Sequence, residues 1–116
     1  MEAKIQQKTP TVLVPYDFDF KAKAALQEAM KVAQFINGEI HLLSVIRSTN
    51  FLTELFRSEK QQREERRMVE NKLKEAAVEA SAQNEMKIHC IVEQGEPAEV
   101  ILEQAEILKA QYIVMG

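Results

Sequence analysis

Asp17 is the residue in this chain best placed to do chemistry, because it follows an apolar run that stops at Pro15. A carboxylate at a strand end can accept hydrogen bonds from ligand hydroxyls or stand near a bound cation. The structural reading is a turn residue that caps the next helix together with Asp19, where Asp is common for its own backbone hydrogen bonds. Both readings stay open. Gly116 comes second, since a Gly directly after the apolar run Tyr112-Ile113-Val114-Met115 lets the backbone approach a bound group closely. His41 and His89 have no Ser or Cys at a nucleophile spacing, so they read as packed or solvent-facing strand residues rather than catalysts. Cys90 alternates with Ile88 and Val92, which predicts a buried, inert thiol. No Cys/His cluster suggests a zinc site, and no base, nucleophile or metal constellation is visible, so an enzyme is not expected. Gly95-Glu96-Pro97 is mainly a helix start.

The elements that must position these residues have to come from one core, because 116 residues leave room for a single domain. Apolar residues make up 46% and charged residues 28%, as in an ordinary globular protein. A net charge of −3 gives no reason to expect binding to nucleic acid or to a membrane surface. No apolar run approaches a membrane span, and Met1-Glu2-Ala3-Lys4 lacks a signal peptide's apolar stretch. With a single cysteine as well, the expected location is cytoplasmic.

Residues 1–10 are expected to be flexible. Thr11-Val12-Leu13-Val14 then reads as a central strand of a parallel sheet, covered on both faces and ended by Pro15. Ala22, Ala25, Leu26, Ala29, Met30, Ala33 and Ile36 recur at helical spacing, with Asp19 as N-cap and Asn37-Gly38 as the stop. Ile40 to Ile46 is the second strand, 47–51 a loop, and Leu52 to Gln83 a long helix. The stretch Arg57 to Arg67 carries five basic and three acidic residues and is expected to project into solvent or onto a partner. Behind it, Val69, Leu73, Ala76, Ala77 and Ala80 should pack on the sheet, with Glu59–Arg63 and Glu70–Lys74 as i,i+4 ion pairs. Met86 to Glu93 is the third strand. A helix starting at Pro97 should bury Ala98, Ile101, Leu102, Ala105 and Leu108, and Tyr112 to Met115 is the fourth strand. The order βαβαβαβ with short connections predicts a three-layer α/β/α open parallel sheet, which binds ligands beyond the carboxyl ends of its strands.

Three of those strand ends resemble the universal stress protein family. Val12-Leu13-Val14-Pro15-Tyr16-Asp17-Phe18 is similar to its opening strand and Pro-x-Asp turn, and Leu42-Leu43-Ser44-Val45 to its second strand, with Ser44 where a His is usual. Gly95-Glu96-Pro97 and Ala110-Gln111-Tyr112-Ile113-Val114-Met115-Gly116 resemble the family's third signature. The resemblance runs from Thr11 onward and implies a dimer with strand order 3-2-1-4-5, many members of which bind ATP. Carried over by position, it implies that Pro15, Tyr16 and Asp17 line the base and ribose side. It puts the Val45 backbone at the adenine edge and has Met115 and Gly116 open the phosphate loop. Tyr16 is bulkier than the small residue often found there, which disfavours entry of a nucleotide.

In ATP-binding members the first loop Gly is followed by a second, then by a Gly-Ser or Gly-Thr pair, a helix and a last strand. This sequence stops at the first Gly, so strand order 3-2-1-4 without the fifth strand is expected, and we read the chain as a fragment. The reading is a stress-response module that binds ATP, with magnesium, when complete, and acts as a homodimer on unknown protein partners. Its alternative is a nucleotide-free interaction scaffold of the same fold.

Overall fold

A computed structural model describes residues 9–48, 55–82 and 85–116 of the chain. Four apolar runs form one parallel sheet: β1 (Thr11–Pro15), β2 (Glu39–Arg47), β3 (Ile88–Gly95) and β4 (Tyr112–Ile113), in the spatial order β3-β2-β1-β4. Between them run α1 (Phe20–Ile36), α2 (Glu59–Ser81) and α3 (Pro97–Leu108). This is the expected α/β architecture and strand order. Val12, Leu13 and Val14 are fully buried, as a strand covered on both faces should be. Register is fixed along β2, where Leu13 meets His41 on one side and His41 meets His89 on the other.

One face of the sheet carries α1 and α2. Val12, Val14, Ile40, Leu42 and Val92 pack there against Leu26, Ala29, Met30, Ala33, Leu73, Ala77 and Ala80. The alanines let both helices approach closely, and each large side chain removed from water contributes about 1.5–3 kcal/mol. The α1 boundaries follow the sequence. Asp19 accepts a hydrogen bond from the Ala22 amide at 2.7 Å, and Asn37 adopts a left-handed conformation with φ 54°. The chain before β1 is tied in from Pro10, whose carbonyl accepts from the Glu39 amide at 2.9 Å. Residues 1–8 lie outside the described residues, as do 49–51 of the expected loop and 52–54 of the expected helix.

Several boundaries differ from the sequence reading: β2 runs Glu39–Arg47 rather than Ile40 to Ile46, and β4 spans Tyr112–Ile113 rather than Tyr112 to Met115. The long helix begins at Glu59, not Leu52, because Ser58 and Gln61 form a reciprocal capping box: the Ser58 hydroxyl accepts from the Gln61 amide and the Gln61 side chain accepts from the Ser58 amide. β3 runs Ile88–Gly95 rather than Met86–Glu93, since it pairs with β2 through Arg47. On α3 the sheet-facing stripe is Ile101, Gln104, Ala105 and Leu108, all half-buried, while Ala98 is exposed and Leu102 is 66% exposed. The polar Gln104 at the centre of that stripe hides its period.

The polar stretch of α2 also departs from expectation. Most of it is exposed, yet Arg66 donates to the Val92 carbonyl of β3 at 2.6 Å, and Arg57 pairs with Glu65. The segment is thereby fastened to the sheet rather than simply projecting from it. Glu59 and Arg63 stand 3.9 Å apart and fully solvated, while Glu70 pairs with Arg66 at 3.2 Å instead of with Lys74.

Candidate functional site

At the carboxyl ends of β1, β2 and β4 lies a cleft of about 310 Å³. Its wall includes all six residues singled out from the sequence, Pro15, Tyr16, Asp17, Val45, Met115 and Gly116. Residues that the sequence reading did not assign to the site complete it: Asp19, Lys21, Ala22, Leu43, Ser44, Arg47, Pro97 and Ile101. Pro97 and Ile101 come from the start of α3, so the cleft is closed from the sheet face opposite α1 and α2. Lys21 and Arg47 were legible only as charged residues near strand or helix ends. What gathers them is the crossover of α1 and the extra residue of β2.

The turn after β1 is built by three consecutive residues with different tasks. The Tyr16 amide donates to the Leu43 carbonyl at 2.7 Å, which prolongs the β1–β2 ladder by one bond past Pro15. Its ring is only 5% exposed and joins the core cluster on the α1/α2 side, so Tyr16 packs rather than offering an open face to the cleft. Burial pushes the Tyr16 phenol above its ordinary value, with the carboxylates of Glu79, Asp17 and Asp19 adding to the effect. Phe18 meets Tyr16 edge to face, with centroids 5.1 Å apart, and takes the left-handed φ of 71° that a bulky residue adopts only under constraint.

Between these two anchors, Asp17 is exposed. Its Oδ1 accepts from the Asp19 amide at 3.3 Å, so it does serve the turn, as its structural reading expected. The same carboxylate lines the cleft, and its two readings are therefore compatible. On the far wall, the Val114 amide donates to the Leu13 carbonyl at 3.0 Å and carries β4's direction forward to Met115 and Gly116. A Cβ placed on Gly116 would stand 2.8 Å from the Lys21 carbonyl oxygen, so only Gly fits there against the first turn of α1. The N-terminus of α3 is capped from within: Glu96 accepts from the Glu99 amide at 2.9 Å, and Pro97 occupies the first helical position.

Cys90 is half-buried, with Sγ 3.7 Å from the Leu73 carbonyl. Burial raises its thiol above the ordinary value, only partly offset by Lys74, which agrees with the inert thiol expected. The two histidines lie away from the cleft, and no helix among the described residues is long and apolar enough to cross a membrane.

An open parallel sheet with a cleft at its carboxyl edge, walled by a strand-end Asp and a close-packed Gly, defines an open α/β domain, the class in which ligands are bound beyond the carboxyl ends of the strands. The family model for the universal stress protein family matches residues 8–116, and the chain belongs to that family. Among solved structures it is similar to hypothetical protein MJ0577, at 25% identity and a TM-score of 0.73, over 89% of this chain and 71% of that one. It is also similar to a universal stress protein of Archaeoglobus fulgidus, at 26% identity and a TM-score of 0.62, over 92% of this chain but only 32% of that protein. A family protein of Arabidopsis thaliana with AMP bound has the same fold, at 18% identity and a TM-score of 0.62, over 92% of this chain and 75% of that one. No curated protein sequence matches the chain.

Proposed function

We propose that this domain binds an adenine nucleotide in the carboxyl-edge cleft and works as a regulatory module rather than an enzyme. The observation that carries the reading is the position of Gly116, packed on Lys21 and the first turn of α1 across from Asp17. A backbone with no side chain there packs directly on α1 and so keeps the end of β4 on the cleft wall, and Asp17 can accept from ribose hydroxyls or neighbour a phosphate-bound magnesium ion. Lys21 and Arg47, both on the cleft wall, supply the positive charge an anionic ligand needs. The Arabidopsis relative with AMP bound supports adenine as the base.

ATP with magnesium is the form we favour, and a cytoplasmic homodimer acting through protein partners is the setting. Thermal shift of the protein with AMP, ATP and magnesium tests the reading. A rise of a few degrees, reduced in Asp17→Asn, is expected. An unchanged melting temperature at about millimolar nucleotide, where even a Kd of ~10 μM would give about 2.7 kcal/mol of stabilisation, would refute it.

A further inference from the structure

Glu39, His41 and His89 meet at the amino-terminal half of β2 and β3, on the same sheet face as Leu43. Glu39 and His41 are two apart on β2 and so share a face, and the parallel register sets His89 of β3 directly opposite His41. Val45, on the cleft wall, is about 13 Å further along β2 at strand rise. The group is therefore separate from the proposed nucleotide cleft.

The three side chains are close enough to form a ligand set. The two imidazoles stack with centroids 4.4 Å apart and planes inclined by 24°, so one ring must turn about its Cβ–Cγ bond for both nitrogens to face one ion. Glu39 reaches both: Oε1 lies 3.5 Å from His41 Nε2 and Oε2 lies 3.3 Å from His89 Nε2. Ligand atoms held about 2.0–2.1 Å from a tetrahedral zinc ion stand about 3.3–3.4 Å from one another. The two nitrogen–oxygen separations, each to its own carboxylate oxygen, are close to that length, and one ligand atom from each residue lies within 4.8 Å of the others. His89 Nε2 is buried, and the Glu39 carboxylate stands beside it, pairing with both imidazoles when no ion is bound.

We propose that Glu39, His41 and His89 form a binding site for a divalent transition ion of the zinc type, with a fourth position open to water. Two imidazoles and one carboxylate suit zinc or cobalt(II), and they disfavour magnesium and calcium, which seek all-oxygen shells. The His89 side chain is 36% exposed and that of Glu39 is 24% exposed, which leaves an entry path, while His41 at 13% forms the floor.

The experiment titrates the metal-free protein with zinc and with cobalt(II), in the presence and absence of magnesium. One equivalent of cobalt with tetrahedral ligand-field absorption is expected, unaffected by magnesium. Glu39→Gln and His89→Asn should each weaken uptake at least ~10-fold, since even outer-shell partners of metal ligands are worth about 10- to 100-fold. Circular dichroism reports whether either variant still folds. The chain has only two histidines, so nitrogen NMR of the unmutated protein reads the site directly, and zinc should shift both Nε2 resonances. No uptake, variants that bind as tightly as the parent, or histidine resonances that stay still with zinc bound would each overturn the proposal.

Discussion

Tyr16 shows how one residue can serve the core and border the site at once. Its phenol is buried beside Glu79, Asp17 and Asp19, and its folded-state value is raised. Below the unfolded value of about 10 the neutral phenol is present in both states, so its contribution to stability is intact. As pH rises past that point the unfolded chain ionises first, and stability is lost on the way to the folded value. Urea midpoints measured at about pH 8 and about pH 10.5 should therefore fall more for the parent protein than for Tyr16→Phe. Equal falls would mean that the hydroxyl is not held neutral by its surroundings. Asp17 is a cleaner probe of function. It is exposed, so Asp17→Asn should move stability by no more than about 0.5 kcal/mol while weakening nucleotide binding. The strand-end residues could be read from sequence, because Pro15 and Gly116 mark where ladders stop. The Glu39–His41–His89 group could not, since a 48-residue gap between the histidines says nothing until strand register is known.

At the level of elements, caps decide what the apolar pattern leaves undecided. The polar run from Arg57 gave no periodicity from which to place a helix start, whereas Ser58 and Gln61 did so chemically. Ser58→Ala should cost about 1 kcal/mol and increase amide exchange in the first turn of α2, from Glu59 to Gln62. If exchange rises equally along all of α2, the cap is not what sets its start. The same helix shields Cys90 through the Leu73 carbonyl. With its thiol raised by burial, Cys90 should react with a disulfide reagent much more slowly in the folded protein than in urea, and mildly alkaline pH should close little of that gap. Fast labelling of the folded protein would show that α2 lifts from β3. Strands and helices were legible because central parallel strands are continuously apolar and α1 keeps a clean stripe. α3 was less so, because Gln104 faces the sheet while Leu102 and Ile107 face water.

For the molecule as a whole, β4 lies at an edge of the sheet among the described residues, with Tyr112, Ile113 and Met115 between 40% and 57% exposed. An apolar edge strand offers unpaired backbone groups as well as surface, and it favours pairing with another chain. Sedimentation of the protein should show association that grows with concentration, and Ile113→Lys should move it toward monomer. A monomer at all concentrations would leave the dimer without support from this edge. The parallel three-layer sheet was legible through right-handed crossovers and its strand order through the family resemblance alone, but the amount of uncovered surface was not, because it depends on how far α3 reaches. The Tyr16–Phe18 pair has a further consequence at this scale. Both neighbours of Asp17 are locked, one by the core and one by an edge-to-face contact at φ 71°, so the turn arrives at its ligand already arranged. Calorimetry of nucleotide binding should then show a small ordering entropy and a heat-capacity change set by the ligand's own buried surface, the thermodynamic mark of a receptor that does not have to fold around its guest.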